Sequence, residues 1–311
     1  LKHHYIPQFY LRPWLGSDNK LLEFRRLKFE HEPLPRLEIK RRGTGETGCE
    51  ENLYTLHGAT KETKQNVERI FMGAVDGKAA LARDELLNGV IPQGELRHAW
   101  ARFLLSLSLR TPEQIRLFKK FLRDYWENPD ANLLARYDAA RQQDWPSTLA
   151  GWLKEENPKS HERSAIIIAT RMMQNENVLR MFMGARWWVL DTSTVQRRLM
   201  TSDHPLVMTN GLGRPDAHFG LPIGPTRLFI AFMNDAISAK IRSQPVGKLV
   251  REANDAVIGQ GRKSVYGVND ASTALVKQRM GKRDYFQPLP KEVGAQGPSS
   301  HDRPFSSRNL T

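Results

Sequence analysis

Two adjacent histidines, His3 and His4, open an aromatic-rich stretch that continues Tyr5, Ile6, Pro7, Gln8, Phe9, Tyr10, Leu11, Arg12. An imidazole can ligate a metal, shuttle protons or hold an anion. On an extended segment neighbouring side chains point to opposite sides, so only one of the pair can enter a given site. A tag remnant is the plainer reading, and the aromatic continuation weighs against it. Glu50 and Glu51 follow, just before Tyr54. A carboxylate pair can supply a general base or a metal ligand, whereas a solvated pair beside a turn is the plainer reading. His98, Arg102, Ser106 and Arg110 recur every four residues and share one stripe of a helix. Two arginines one turn either side of a serine can clamp a phosphate or carboxylate; the alternative is a solvated helix face. Arg110 stands apart, because Thr111 and Pro112 put it at a joint between two helices. Thr201, Ser202, Asp203, His204 and Pro205 form a polar turn of a kind that often carries site residues. There Asp203 could be a ligand or base assisted by His204, or the carboxylate of an Asx-type turn that binds backbone amides.

Other chemistries are excluded by what is missing. The sequence has no GxxxxGK[ST] loop, no HExxH, no GxSxG elbow and no GxGxxG after a strand. Its single cysteine, Cys49, rules out an internal disulfide framework and any multi-thiolate metal site, and fits a reducing compartment such as the cytoplasm. Methionines 172, 173, 181 and 183 fall in a segment that already reads as core, so packing accounts for them. The chain has 311 residues, 47 Lys plus Arg against 34 Asp plus Glu, and a net charge of +13. That excess favours nucleic acid or another phosphate-bearing partner. It is dispersed, with no RNP or helix-turn-helix signature beside it. No apolar run is long enough to span a bilayer, and no leader is visible before the first motif.

The elements that must position these residues are α+β in pattern: a helix-rich middle with short strands from the N-terminal and C-terminal segments. Residues 1–57 read as an extended segment with strands at Leu21–Phe24 and Leu37–Lys40. Residues 60–183 read as helical. Val67, Ile70, Phe71, Ala74 and Val75 recur at helical spacing, as do Leu96, Trp100, Phe103, Leu104 and Leu107. Thr111, Pro112 and Glu113 give an N-cap, a proline at N1 and an acid in the first turn. Helices follow around Ala131–Gln142 and Ser147–Glu155, then one long helix from Ser160 to about Gly184, whose Ala165–Ala169 stretch is apolar all round and so central. Residues 186–280 supply strands at Trp187–Leu190, Leu206–Thr209, Leu228–Phe232 and Val265–Tyr266, with the first buried on both faces. Between them, glycines and prolines from Gly211 to Pro225 read as turns, and a helix is expected around Leu249–Val257. Residues 1–280 are expected to form one compact domain, and 281–311 a disordered tail.

In order along the chain, these motifs resemble the mainly bacterial domain of unknown function 4238. Its members open with a segment like H-Y-V-P-Q-F-Y-L-R-x-F, matched here from His4 to Trp14. The resemblance continues at Asn52, Leu53, Tyr54 and Thr55, at Glu68 early in the following helix, at Arg110, Thr111 and Pro112, at the turn Thr201–Pro205, and at Pro222, Ile223, Gly224 and Pro225. It covers about residues 3–270, the opening motif being the most specific part. His204 stands where the family has Asn, and Gly224 where it has Ser, so a role needing that hydroxyl does not carry over. The resemblance implies a shared fold and points to a shared site, without an activity. The polar motif residues are then His4, Glu51, Glu68, Arg110, Ser202 and Asp203. Convergence in one cleft would make them an acid–base or metal-binding constellation with an anion clamp. The leading expectation is a hydrolase acting on phosphodiesters of nucleic acid. In it His4, Glu51 or Glu68, and Asp203 hold Mg²⁺ or Mn²⁺ or activate water, Arg110 stabilises phosphate charge, and Ser202, Arg102 and Arg12 bind substrate. Two alternatives stand beside it: a non-catalytic binding module in which His4 and Asp203 tie the chain ends together, and an enzyme for a small anionic metabolite anchored by Arg110.

Overall fold

The computed structural model describes residues 2–28, 31, 35–55, 74–156, 160–211, 214 and 216–285. The N-terminal segment runs from strand β1 (Lys2–His4) through the short helix α1 (Gln8–Leu11) and a 3-10 turn at Arg12–Trp14 to β2 (Leu21–Leu27) and β3 (Arg36–Arg42). Strand β4 (Cys49–Glu51) then closes back, antiparallel, on β1. The helical middle comprises α2 (Ala74–Leu87), α3 (Gly94–Leu109), α4 (Pro112–Glu127), α5 (Ala131–Ala140), α6 (Leu149–Glu156), α7 (Ser160–Met172) and α8 (Glu176–Gly184). The C-terminal region holds β5 (Arg186–Asp191), β6 (Thr201–Ser202), β7 (Val207–Thr209), β8 (His218–Gly224), β9 (Arg227–Phe232), α9 (Asp235–Arg242), α10 (Val246–Gln260), β10 (Ser264–Gly267) and α11 (Thr273–Arg279). This is the α+β arrangement expected. The expected Val67, Ile70 and Phe71 periodicity lies outside the described residues.

Two antiparallel sheets organise the chain. One has the order β3-β2-β10-β6, the other β5-β9-β8-β7. The first joins the ends of the sequence, since β10 pairs on one side with β2 and on the other with β6. It can form only when residues more than two hundred apart in sequence meet, so local pattern alone could not reveal it. Helix α3 passes between the N-terminal segment and the second sheet. Its Trp100 and Phe103 are fully buried, with ring centroids 4.9 Å apart; Tyr10 lies 5.8 Å from Phe103, and Phe229 5.8 Å from Trp100. Each such aromatic side chain contributes roughly 1.5–3 kcal/mol by burial.

Polar pins fix how the opening segment enters this core. The Tyr10 hydroxyl donates to the Pro222 carbonyl at 2.7 Å and accepts from the Thr201 hydroxyl at 2.7 Å. The Trp14 indole N–H donates to the Leu199 carbonyl at 2.9 Å. Aromatic residues suit this task because a large apolar body carries one polar tip that must be satisfied once buried.

Several expectations are corrected. The long helix from Ser160 is two helices, because the Asn175 side chain accepts from the amides of Asn177 and Val178 and caps a new start at Glu176. Ala165, Ile166 and Ala169 are buried but the residues between them are half-exposed, so α3 and not this helix is central. Strand β5 is an edge strand, with Trp188 half-buried beneath the Arg242 guanidinium. Strand β8 was hidden by its glycines and proline. Its register shifts between Pro222 and Gly224, which lets the chain carry a proline that cannot donate to a ladder, and Gly224 leaves space for Leu87 and Pro13. Packed chain also continues past Gly281: the Arg262 side chain donates to the carbonyls of Gly281 and Arg283, and Arg283 N–H donates to the Gly259 carbonyl. The rest of the expected tail, 286–311, lies outside the described residues.

Tyr10→Phe keeps the ring and removes both hydroxyl bonds, leaving the Pro222 carbonyl buried without its donor. The expected loss is about 1–3 kcal/mol, read as a lower urea midpoint at unchanged slope. An unchanged midpoint would mean that the hydroxyl does not pin the segment.

Candidate functional site

The opening histidines are placed by the loop before β4. Gly48 adopts a positive φ of 63°, and its carbonyl accepts the amides of both Tyr5 (2.9 Å) and Ile6 (3.0 Å). A Cβ there would stand 3.0 Å from that of Ile6, so glycine is required twice over. Strand pairing sets His3 opposite Glu50 and His4 opposite Cys49. His3 turns inward: it is buried, stacks on Tyr54 at 5.3 Å, and its Nδ1 accepts the Tyr54 amide at 2.9 Å. That bond fixes the neutral tautomer with the proton on Nε2 and makes His3 structural. His4 is half-buried on the other side.

His4 shares its surroundings with Arg110 and Asp76. Arg110 is the C-cap of α3, its N–H bonded to the Ser106 carbonyl. Thr111 then caps α4 by accepting from the Gln114 amide at 3.3 Å. The Arg110 side chain is 1% exposed. Its Nη1 lies 3.4 Å from Asp76 Oδ1, its guanidinium sits 5.7 Å from the Phe103 ring centroid, and its carbonyl accepts the Tyr54 hydroxyl at 2.6 Å. Burial pushes the Asp76 carboxyl above its ordinary range, and the charges of Arg110 and His4 offset this only in part. The long Arg110 contact explains why desolvation wins. His4 moves the other way: burial lowers it, the charges of Lys2 and Arg110 add to the fall, and the carbonyls of Thr44 and Gly45 oppose it. His4 Nε2 has no hydrogen-bond partner among the described residues. A neutral imidazole and a carboxyl raised toward protonation therefore flank one permanent cation. Clustered perturbed groups of this kind mark candidate sites. Asp76 carried no signal in the sequence, where it is one more acid in a first helical turn.

Asp203 belongs to a different cluster. It is buried, with Oδ1 accepting the Arg262 amide at 2.9 Å and Oδ2 accepting the amides of Lys263 at 2.5 Å and Ser264 at 3.1 Å. His204 Nδ1 stands 3.2 Å from Oδ1. Burial alone would raise the carboxyl; His204 and the donated amides outweigh it and hold it below the ordinary range. Asp203 thus fastens the turn into β10, as an Asx-type carboxylate would, but across sixty residues. Ser202 accepts the His204 amide at 3.2 Å. Nearby, Glu23 accepts from the hydroxyls of Thr47 and Ser264, each at 2.6 Å, and pairs with Arg42 at 2.7 Å. The His204 ring lies against Tyr285 at 4.0 Å, with Glu113 3.6 Å from its Nε2.

The single constellation expected from the sequence is therefore divided. No bond between His4 and Asp203 is found among the described residues; the contacts that join the ends of the chain there are those of Tyr10, Trp14 and the β2–β10 pairing. The metal set His4, Glu68 and Asp203 loses Asp203, whose oxygens are committed to amides, while Glu68 lies outside the described residues. Among the described residues no three His, Cys, Asp or Glu side chains are placed to hold a metal. Glu51 is exposed opposite Lys2, and Glu50 pairs with Arg116 at 2.6 Å. The stripe on α3 is not a solvated face throughout: His98 and Arg102 are half-buried, whereas Ser106 is buried and bonded to the Phe103 carbonyl. Arg102 and Arg110 therefore form no clamp around a free serine. Arg12 is exposed on the 3-10 turn. Cys49 is half-buried, its thiol pushed up by burial, as befits a bystander.

A family model described as "Protein of unknown function (DUF4238)" matches residues 2–271. No curated protein and no solved structure matches the chain. No helix among the described residues is long and apolar enough to cross a membrane.

The depressed Asp203 carboxyl makes a signed prediction. Its stabilising effect is complete above the unfolded-state value near 4 and is lost as pH falls through the lower folded value. Asp203→Asn should lower stability at neutral pH by several kcal/mol, since bonds to a charged acceptor contribute about 1.5–3 kcal/mol each. The gap in urea midpoint should begin to narrow as pH falls below ~4 and close only below the lower folded value. A constant gap between them at every pH would contradict this role.

Proposed function

This chain belongs to the family of proteins of unknown function DUF4238, and we propose that it is a hydrolase whose acid–base pair is His4 and Asp76, acting on phosphate esters of nucleic acid. The observation that carries the reading is the pair itself: a lowered imidazole and a raised carboxyl gathered around the buried Arg110. Neutral His4 takes a proton from water as the water oxygen attacks phosphorus. Asp76, raised toward the protonated form, gives its proton to the leaving ester oxygen as the P–O bond breaks. Arg110 is a positioning residue here. At 1% exposure it cannot clamp a polymer phosphate, but it orients Asp76 and adds to the burial that lowers His4. The net charge of +13 supports attraction of a polyanion at long range, and the single thiol is compatible with the cytoplasm. The depth of Arg110 favours one second reading, an enzyme for a small phosphate-bearing metabolite that can enter where a strand cannot.

The test is cleavage of labelled RNA, DNA and a small phosphodiester, with Mg²⁺, with Mn²⁺ and with a chelator. His4→Gln and Asp76→Asn should each lower the rate by about 10²–10⁴-fold while the fold persists. The wild-type rate should follow a bell-shaped pH profile, rising as His4 loses its proton below the ordinary histidine value and falling again as Asp76 gives up the proton it must donate. Cleavage of the small ester alone would move the substrate to the second reading. No cleavage of any substrate, or variants as active as wild type, would overturn the assignment.

A further inference from the structure

A concave site lies on the opposite side of the second sheet from the aromatic core, independent of the His4–Asp76 pair. It is a cavity of about 490 Å³ between the β7–β8–β9 face and helices α9 and α10. This volume lies within the range of pockets that take small organic ligands, about 300–1,000 Å³. Its floor is aliphatic, from Leu228 and Ile230 of β9, and its walls carry Ile241 of α9 and Leu249, Ala253 and Val257 of α10. The rim is cationic. Lys240, Lys248 and Arg283 line it, against the one carboxylate of Glu252. Glu252 lies 3.8 Å from Lys248, leaving Lys240 and Arg283 with no ion pair among the described residues. Arg283 is brought to the rim by backbone: its N–H donates to the Gly259 carbonyl at 3.0 Å, and only glycine permits the approach, since a Cβ there would stand 2.8 Å from that of Arg283.

We infer that this cavity binds an amphiphilic anion, an aliphatic chain ending in a carboxylate, with the chain on the β9 floor and the charge between Lys240 and Arg283. An uncharged chain would satisfy the floor and leave the cations unused. Charge also disfavours the remainder of this chain as the occupant: Lys291, Arg303 and Arg308 outnumber Glu292 and Asp302 in residues 286–311. Aliphatic contact sets most of the affinity and the rim sets the sign of the head group, so the two can be separated by experiment.

Isothermal titration of the full chain with octanoate, octanol and octylamine tests this. Octanoate should bind saturably, octanol at least tenfold more weakly, and octylamine not at all. Lys240→Glu combined with Arg283→Glu should weaken octanoate tenfold or more and leave octanol unchanged. Ala253→Phe should abolish binding by filling the cavity, with its melting temperature showing that the fold is kept. Equal binding of octanoate and octanol, octanoate binding that survives Ala253→Phe, or no saturable octanoate binding would each overturn the proposal. So would a dimer by light scattering that Ala253→Phe dissolves, because a second copy would then be the occupant.

Discussion

A guanidinium cannot shed its proton at any pH a cell meets, so the protein must accommodate Arg110 as a cation at 1% exposure. Taking such a charge out of water costs several kcal/mol unless it is paired and its donors are satisfied. Part of the central architecture offsets this cost. Helix α2 brings Asp76 to the guanidinium and Phe103 lends a ring face, while the Tyr54 hydroxyl donates to the Arg110 backbone carbonyl and fixes the residue in place. Tyr54 is in turn held through its amide by His3, which the Gly48 carbonyl helps to place by fixing the residues just after it. These contacts link the N-terminal strand, the α3–α4 joint and α2 in one chain.

The same cation organises the local chemistry. It opposes a proton on His4 and stabilises a charge on Asp76, yet its 3.4 Å separation from Asp76 leaves burial dominant there. A tighter, bidentate pair would have fixed Asp76 as a plain carboxylate. The long contact instead leaves a carboxyl whose protonation is poised by its surroundings. The Asp203 cluster is the converse case: three amides and His204 overcome burial, and the result is a firm charge used for structure.

The elements were legible in the sequence where local physics decides them. Thr111–Pro112–Glu113 announced a helix start because cap, fixed φ and first-turn acid are all local effects. The strands at Leu21, Leu37, Leu228 and Val265 followed from apolar content and turn punctuation. Strand β8 did not, because Gly220, Pro222 and Gly224 serve a bulge and close packing and look like turn residues in isolation. The candidate site was legible in part. His4 and Arg110 were singled out by type and position. Asp76 was missed, because its significance is its burial beside a cation that the fold delivers from another helix. Asp203 and Ser202 drew attention as polar residues in a polar turn, but such a turn looks the same whether its carboxylate meets substrate or backbone. Glu68 lies outside the described residues.

The account stands on a His4 ring half-buried beside the Arg110 cation, and the direct measurement is the proton titration of the His4 ring by NMR in the wild type and in Arg110→Met. The wild-type ring should titrate below the ordinary histidine value of about 6.5, and loss of the neighbouring cation should move it upward. A His4 ring that titrates at or above the ordinary value, with no response to Arg110→Met in a folded protein, would contradict the claim that these residues form one site.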